Sequence, residues 1–382
     1  MYDRWVKAAS SGKLSGVVFL DLSAAFDLVD HNHLLKKLEI YGVNNDVLHW
    51  VHSYLEDRSQ AVWLDHVRSS FLGCKIGVPQ GSILGPLFFL VYFNDLMGHL
   101  ESSVDSYADD TTLTASGQSQ DEIQFQLSRD CDIISSWMRS NALKINPEKT
   151  HVISVGTQKR LQKMSNPLEV RMDDVVLEQV SSGFEQVLGC KIQADLKFNH
   201  HVAALKCKFA KRLSGLAHLK LVCPLSVRKV IAEGFFNSVL GYCLPLFGGM
   251  DQFLLQELQV MQNRAARVVC SAPPLTRRIE LLKKLGWLSV KQLIWYYTLI
   301  LVFKIRGNKT PEYLAKFLGQ ESRSGRIRLE KQTLTLSLNS FCHRGANQWN
   351  QLPWDMRCQQ KIGTFKKSLK KWIVKNVPPF SD

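Results

Sequence analysis

Short apolar runs alternate with amphipathic stretches along the first part of the chain. The run at residues 15–21 is rich in β-branched and aromatic residues and predicts a buried strand. Leu34 and Leu38 lie on one face of a predicted helix, with Asp30 or Asn32 as its cap. Further predicted elements are a helix at 45–54, strands at 60–67 and 70–77, a helix ending at Asp95, two strands within 104–115, a helix that begins with Ser119 and Glu122 as a capping box, and a strand at 150–155. This β-α-β-β-α-β succession predicts an α+β fold, a split βαβ arrangement with a ferredoxin-like antiparallel sheet backed by helices.

Beyond about residue 200 the pattern becomes helical. The stretch at 319–328 is polar, contains Gly and Ser, and predicts a linker or mobile loop. At residues 361–375, apolar positions keep helical spacing among lysines, which predicts a docked helix with a phosphate-facing side, although an acidic membrane surface would attract it too. Predicted helices lie at 202–221, 226–240, 253–269, 277–285 and 290–306.

Several protein classes are excluded by the pattern. The longest apolar runs, at 83–93 and 293–303, are shorter than the roughly 20 residues that a spanning helix needs, and no secretion signal opens the sequence. We therefore expect neither a secreted nor an integral membrane protein. The nine cysteines form no C-x-x-C pair, which argues against a disulfide framework or a zinc knuckle and favours a reduced intracellular compartment.

The net charge of +14 is unevenly distributed. Residues 1–150 carry 12 Lys and Arg against 19 Asp and Glu, a balance of −7, whereas residues 151–382 carry 36 against 15, a balance of +21. An acidic half joined to a basic half suits a metal-binding centre attached to a surface that holds a polyanion. On charge alone, an ordinary solvated basic face is an equal alternative.

Three aspartates are candidates for chemistry. Asp21 ends the first predicted strand, and Asp109 and Asp110 lie in a predicted hairpin turn. Carboxylates about 4 Å apart repel by roughly 4 kcal/mol at an effective dielectric constant near 20, so a close cluster requires a cation. Mg²⁺ suits such oxygen ligands. An Asp-Asp turn by itself favours ordinary hairpin chemistry, and only the combination with Asp21 and the motifs below favours metal binding.

Three sequence strings resemble, in order and spacing, the palm motifs of reverse transcriptases from non-LTR retrotransposons of the jockey-like or chicken-repeat-like type. They are FLDLSAAFDLVDH at 19–31, GVPQGSILGPLFF at 77–89 and YADD at 107–110. LKINPEKT at 143–150 is similar to the fourth palm motif, and QVLGCKI at 186–192 to the primer-grip hairpin. QVMQNRAARVV and LGWLSVKQL are similar to the carboxy-terminal part of the same family.

The resemblance implies a polymerase palm at 1–195 with the fingers largely absent, a helical thumb-like region at 196–306 and a basic C-terminal region at 307–382. It implies that three aspartates hold two Mg²⁺ ions, with Mn²⁺ as an alternative, and that Phe26 is the steric gate that excludes a ribose 2′-hydroxyl. The catalytic and metal-binding residues so implied are Asp21, Asp109 and Asp110, and the substrate-binding residues are Phe26, Gln80, Gly81 and Tyr107. Lys149 is a candidate proton donor to pyrophosphate, with Lys144 as its competitor and an ordinary solvated lysine as the alternative.

The implied function is that of an RNA-directed DNA polymerase, which transfers a nucleotide from a dNTP to a primer 3′-hydroxyl on an RNA template. Met1 lies only about 20 residues before the first motif, so we expect a chain truncated at its N-terminus. The alternative is an inactive retrotransposon remnant that at most binds nucleic acid. A third hypothesis, a viral-type RNA-dependent RNA polymerase, is disfavoured by the aromatic ring at Phe26 and by Ala108 before the two aspartates. Expected partners are RNA template, DNA primer and dNTP but no membrane, and the expected location is the nucleus, with a cytoplasmic RNA–protein stage.

Overall fold

A computed structural model describes residues 1–220, 222–329, 331–332 and 334–379 of the chain. The chain forms two compact units. The sheet unit is Gly12–Gly183, and the helical unit combines Met1–Ser11 with Phe184–Asp382. The chain begins in the helical unit with helix α1 (Tyr2–Ser10). The division at residues 195 and 306 that the sequence suggests stays a prediction.

The sheet unit is built around one mixed sheet. Its elements, in chain order, are β1 (Leu14–Leu20), β2 (Leu22–Ser23), α2 (His31–Ile40), α3 (Asn45–Leu55), β3 (Ser59–Gln60), β4 (Trp63–Leu64), β5 (Val67–Arg68), β6 (Leu72–Gly73), α4 (Leu84–Phe93) with a 3₁₀ helix at Asn94–His99, β7 (Ser103–Tyr107), β8 (Asp110–Gly117), α5 (Gln120–Ser140), β9 (Lys144–Ile145), β10 (His151–Val155), α6 (Gln158–Leu161), β11 (Arg171–Met172), β12 (Val175–Val176) and β13 (Glu178–Gln179). Five strands pair in the order β13-β10-β1-β8-β7, and every pair is antiparallel except β10 with β13. The predicted α+β fold class is confirmed.

Strand β1 lies inside the sheet, paired on both edges. Val17 and Val18 are fully buried, as is Leu113 on the neighbouring strand. A strand buried on both faces needs a continuous apolar run rather than an alternating one, and this explains the sequence of β1. Helix α5 covers one face of this strand, where Ile123 and Leu127 pack.

Gly16 sits where β1 meets α5, and we expect Gly16→Ala to destabilise the sheet unit. An added Cβ would lie 2.6 Å from Cγ2 of Ile123 and 2.7 Å from Cδ1 of Leu127. Overpacking of this kind costs about 1–3 kcal/mol of unfolding free energy. Urea denaturation followed by circular dichroism measures the loss. Gly98→Ala is the matched control, because no atom lies within 4 Å of its added Cβ. Equal urea midpoints for the two variants would contradict the packing argument.

The helical unit contains, after α1, a hairpin and a series of helices. They are β14 (Phe184–Val187), β15 (Cys190–Gln193), α7 (Asn199–His218), α8 (Leu225–Ala232), a π-helical turn at Glu233–Asn237, α9 (Ser238–Gly241), α10 (Leu244–Phe247), α11 (Gln252–Cys270), α12 (Arg278–Leu285), α13 (Val290–Arg306), α14 (Glu312–Leu318), α15 (Thr335–Leu338), α16 (Phe341–Asn350), α17 (Trp354–Arg357) and α18 (Ile362–Asn376). Leu188 and Gly189 form the hairpin turn with φ of 46° and 79°. Within the described ranges no single helix is long and apolar enough to cross a membrane, while α12 and α13 pass that test as a pair bent by 42°.

Two predicted elements differ in the structure, the first because it lacks tertiary contacts and the second because it makes them. The strands predicted at 60–67 and 70–77 are four two-residue strands, β3 to β6, whose side chains are exposed and have no core to extend against. The stretch at 319–328 is tied to α16 instead of forming a free linker. Trp349 donates its indole N–H to the carbonyl of Gly325 (3.0 Å), and Asn350 bonds both backbone groups of Ile327 (2.8 Å each).

A third difference concerns the start of α5. Ser119 caps this helix, as predicted, but its hydroxyl accepts the backbone N–H of Asp121 at 3.2 Å. The Glu122 carboxylate instead lies against Gly117, where an added Cβ would be 2.6 Å from Oε2. The capping box expected from Ser119 and Glu122 is therefore replaced by a single cap.

Candidate active site

The tight hairpin between β7 and β8 positions two of the three candidate aspartates. Tyr107 pairs with Asp110 across the hairpin, so Ala108 and Asp109 form its two-residue turn. Ala108 has a φ of 55°, in the left-handed region that costs a residue with a Cβ roughly 1–2 kcal/mol. The hydrogen-bond ladder on both sides of the turn holds this conformation. Asp109 thus lies at the tip and Asp110 at the first position of β8.

Asp21 directly follows β1, the strand that pairs with β8 of this hairpin. The register of β1 with β8 pairs Leu20 with Thr111, and the positions one step further are Asp21 and Asp110. Asp21 and Asp110 therefore lie at neighbouring ends of β1 and β8. The negative charge of Asp21 acts on the Asp110 carboxyl group, so the two side chains are close together.

Burial and mutual repulsion both act on the Asp110 carboxyl group. Its pKa is raised above the ordinary value first by partial desolvation of the carboxyl group, and then by the negative charges of Asp109 and Asp21. Both neighbouring carboxylates are thus close enough to disfavour its ionised form. A cation between them would reverse that penalty.

The backbone of Asp21 is held by the segment that follows β9. Its N–H donates to Oγ1 of Thr150 at 3.3 Å, and its carbonyl accepts the N–H of Asn146 at 2.8 Å. Thr150 also donates to the carbonyl of Asn146 at 2.8 Å, which closes the segment on itself. The sequence analysis missed both residues, although Asn146 before Pro147 is a turn signal that marks this segment.

Lys149, from the same segment, points its ammonium group at the carboxylates. Its Nζ lies 3.8 Å from Oδ2 of Asp21, while its side chain is 69% exposed. An ion pair this exposed contributes little to stability. The lysine side chain can therefore change its position without a large loss of stability.

The three aspartates offer carboxylate oxygens, which are the ligand type that Mg²⁺ prefers. Among the residues that the structure describes, no three Asp, Glu, His or Cys side chains already converge on one point as a metal site. Mg²⁺ does not require such a cage, since it is usually held by one or two carboxylates, water and substrate phosphates. The adjacent Asp21 and Asp110, with Asp109 beside them, fit that requirement.

A second group of candidate residues is assembled where the loop after β2 meets the loop before α4. Val78 donates its N–H to the carbonyl of Phe26, and Gly77 donates to that of Val29, both at 2.8 Å. Gly77 has a φ of 88°, and an added Cβ would lie 2.8 Å from the carbonyl oxygen of Asp27, so only glycine fits this close approach. The Phe26 ring stacks on the buried ring of Phe89 at 4.8 Å. Phe26 is half-buried and fixed in orientation.

Gln80 is oriented by a residue that the sequence analysis did not single out. Its amide nitrogen donates to both carboxylate oxygens of Asp27, at 2.9 and 3.1 Å. Gly81 next to it is exposed with a φ of 77° and no atom within 4 Å of an added Cβ. Ser82 accepts the N–H of Gly85 at 2.9 Å and so caps the first turn of α4. This arrangement leaves the carbonyl oxygen of the Gln80 amide free of the Asp27 contact.

Two further side chains lie next to these groups: the candidate residue Tyr107 and His31, the last residue of the first motif. The Tyr107 ring is 68% exposed beside the aspartates, so it is not part of the core. His31 approaches the carbonyl of Gly77 with Nε2 at 2.7 Å. The histidine therefore braces the glycine turn and has no contact that points to proton transfer.

Comparison with known proteins identifies the family of this fold. Residues 4–193, about half of the chain, match the family model described as reverse transcriptase (RNA-dependent DNA polymerase). Among solved structures, telomerase from Candida tropicalis in complex with a TWJ fragment of telomeric RNA is similar at a TM-score of 0.44 and 11% identity, over 99% of this chain and 52% of that one.

Curated relatives extend beyond the family model. The chain is 28% identical to the probable RNA-directed DNA polymerase from transposon BS of Drosophila melanogaster, over 77% of this chain and 33% of that protein. It is 26% identical to the RNA-directed DNA polymerase from mobile element jockey of the same species, over 67% and 28% of the two proteins. It is also 26% identical to the probable RNA-directed DNA polymerase from transposon X-element of Drosophila melanogaster, over 74% of this chain and 31% of that protein. The chain spans about a third of the length of these relatives. It belongs to the reverse transcriptase family, and the relatives that align with most of it are RNA-directed DNA polymerases of non-LTR retrotransposons.

Proposed function

We propose that the chain is a catalytic RNA-directed DNA polymerase domain, which adds deoxynucleotides to a primer 3′-hydroxyl on an RNA template. The observation that carries the proposal is the proximity of Asp21, just after β1, to Asp110 at the start of β8, with the charges of Asp21 and Asp109 acting on the Asp110 carboxyl group. In this reaction the 3′-oxygen attacks the α-phosphorus of the dNTP. A new P–O bond forms, the α–β P–O bond breaks, and pyrophosphate leaves.

Asp21, Asp109 and Asp110 would hold the metal ions. Two Mg²⁺ ions, or Mn²⁺ in their place, would supply activation of the 3′-hydroxyl and stabilisation of the departing pyrophosphate. The chain's own contribution is to fix the carboxylates: the strand ladder sets Asp110, and the backbone bonds to Asn146 and Thr150 set Asp21. Lys149, within 4 Å of Asp21, would donate a proton to the leaving pyrophosphate as a general acid.

The second group of residues would bind the incoming nucleotide. Phe26, held against Phe89, would occupy the space that a ribose 2′-hydroxyl requires. Gln80, fixed by Asp27, would present its amide carbonyl, and Gly81 would allow the template or nucleotide to approach the backbone closely. Tyr107, exposed next to the catalytic hairpin, would pack near the primer end.

The partners of this reaction are an RNA template, a DNA primer and dNTPs. The named activity of the relatives, RNA-directed DNA polymerase, supports this choice, as does the balance of +21 over residues 151–382. We also infer a nuclear location with a cytoplasmic RNA–protein stage, because genomic DNA and newly made RNA are found in those compartments.

Primer extension on an RNA template with dNTPs and Mg²⁺ tests the proposal. The chain is expected to extend the primer, and Asp109→Asn defines the background because it removes one metal carboxylate. Incorporation that is equal in the two proteins would overturn the enzymatic proposal and leave nucleic-acid binding as the remaining function of the chain.

A further inference from the structure

The outer half of helix α18 carries five exposed lysines, with the exposed Val374 among them. The helix contains no Asp or Glu, and at 3.6 residues per turn its lysines are spread over about half of its circumference. Phe365, Leu369 and Ile373 on the opposite side are fully buried. The exposed lysines of the helix are Lys366, Lys367, Lys370, Lys371 and Lys375.

This distribution of charge is unfavourable for the isolated helix. Lys367, Lys371 and Lys375 follow one another at four-residue spacing, and like charges in that relation repel. Lys361 stands at the N-cap, where the helix dipole disfavours a positive charge. Packing of the apolar side therefore has to compensate for repulsion on the outer side. A bound polyanion would remove that repulsion.

The neighbouring helix α12 extends the same surface. Lys370 donates from Nζ to the carbonyl of Gly286 at 3.1 Å, which sets α18 beside the C-terminal end of α12. The last turn of α12 carries Lys283 and Lys284, both exposed. We call the five lysines of α18 together with Lys283 and Lys284 the lysine face.

We propose that the lysine face binds the phosphate backbone of an RNA–DNA hybrid duplex. The proposal rests on the proposed function for the identity of this polyanion, since a hybrid duplex is the product of RNA-templated DNA synthesis. A duplex carries about one charge per 1.7 Å of axis and is held through its backbone, which matches a surface that offers ammonium groups.

Two other polyanions fit the surface less well. Unpaired nucleic acid is bound by stacking of its bases on aromatic rings. The two aromatic residues of α18 are turned inward: Phe365 stacks on Phe303 at 4.4 Å, and Trp372 meets Trp295 at 5.9 Å. An anionic membrane is bound by insertion of an apolar helix face as well as by charge, and the apolar face of α18 is already buried.

The test measures binding of a labelled RNA–DNA hybrid of 20 base pairs, on the order of two helical turns, by fluorescence anisotropy over a range of KCl concentrations. The variant is K367Q/K371Q/K375Q, which leaves the Lys370 contact intact. Loss of three phosphate contacts is expected to weaken binding at least about tenfold near 0.1 M salt. The slope of log Kobs against log salt should become shallower by about two to three.

A matched triple variant on the sheet unit, K13Q/K36Q/K159Q, removes the same charge from exposed positions. It is expected to leave the salt slope near the wild-type value. An equal loss in both variants would overturn the proposal, because net charge alone would then explain binding. A larger loss for single-stranded RNA than for the hybrid would overturn it too. The proposal would also be overturned if the lysine-face variant lost binding to phosphatidylserine vesicles while its affinity for the hybrid stayed unchanged.

Folding and catalysis are separated from binding in this design. The triple variant is expected to keep the wild-type melting temperature or exceed it, since it removes repulsion from the helix. Binding is measured without dNTPs, so a failure of primer extension leaves the binding result intact. If primer extension succeeds and the hybrid affinity is unchanged in the variant, only the lysine-face proposal fails.

Discussion

Asp110→Asn is expected to reduce the rate of nucleotide addition by at least about a thousandfold while making the folded chain more stable at neutral pH. The loss of rate follows from removing a carboxylate that would hold the catalytic metal ions, whose charge stabilisation amounts to several kcal/mol. The gain in stability follows from the environment of Asp110, whose pKa is raised by desolvation and by Asp109 and Asp21. Because ionised Asp110 is destabilised in the folded chain but required for metal binding, its replacement should lower the rate and raise the stability.

The pH dependence of this stability difference has a defined sign. The pKa of Asp110 is higher in the folded than in the unfolded chain, so ionisation costs more free energy in the folded state. Below the ordinary Asp value both states are protonated and the penalty is absent. As pH rises through the interval between the ordinary and the raised pKa, the wild-type chain loses stability relative to Asp110→Asn. The difference then stays constant at higher pH.

Thermal melts of both proteins over a pH series that begins below the ordinary Asp pKa of about 3.9 and ends at neutral pH measure this effect. Added Mg²⁺ is expected to raise the melting temperature of the wild-type chain more than that of the variant, because ligand binding to the folded state stabilises it. Asp174→Asn, at an exposed turn between β11 and β12, is the control and should change neither rate nor stability. A melting temperature of Asp110→Asn below that of the wild type at neutral pH would contradict the electrostatic account.

The elements that could be predicted from the sequence are those in which the local order of apolar and polar residues determines the buried face. The apolar run of β1 and the amphipathic helices each bury a face that their own residues define. The YADD turn is instead a local hairpin signal whose residues are exposed or half-buried. The proximity of Asp21 to Asp110 could be anticipated from the order of strands and the motif spacing. Their placement at neighbouring strand ends follows from the ladder of β1 with β8, which only the structure provides.

What the sequence did not reveal depends on contacts between distant segments. The Asp27 carboxylate that orients Gln80 lies 53 positions away along the chain, and no local pattern links the two. The bond from Asp21 to Thr150 spans 129 positions. The segment at 319–328 looks like a linker because its composition is polar, yet Trp349 and Asn350 hold it through backbone groups that composition does not report. Positioning of the candidate site is therefore a tertiary property, while the identity of its carboxylates is a local one.

The selectivity of the proposed polymerase for deoxynucleotides should depend on Phe26. We expect Phe26→Val to raise ribonucleotide incorporation relative to deoxynucleotide incorporation by about ten- to a hundredfold. The smaller side chain would open space for the 2′-hydroxyl, and selectivity by steric exclusion is lost when the excluding group is removed. The ratio of kcat/KM for dGTP to that for GTP in primer extension measures the change.

Loss of the stacking contact with Phe89 also costs stability, so a control must separate the two effects. Phe26→Tyr keeps the ring and its stacking contact, and it should retain the wild-type discrimination. If Phe26→Val lowers both activities equally, the residue serves only packing. If the wild-type chain already uses GTP as readily as dGTP, and Phe26→Val brings no further rise, the site would instead be that of an RNA-dependent RNA polymerase. A selective rise in GTP use at unchanged or reduced dGTP use would mark the Phe26 ring as the group that distinguishes the two sugars.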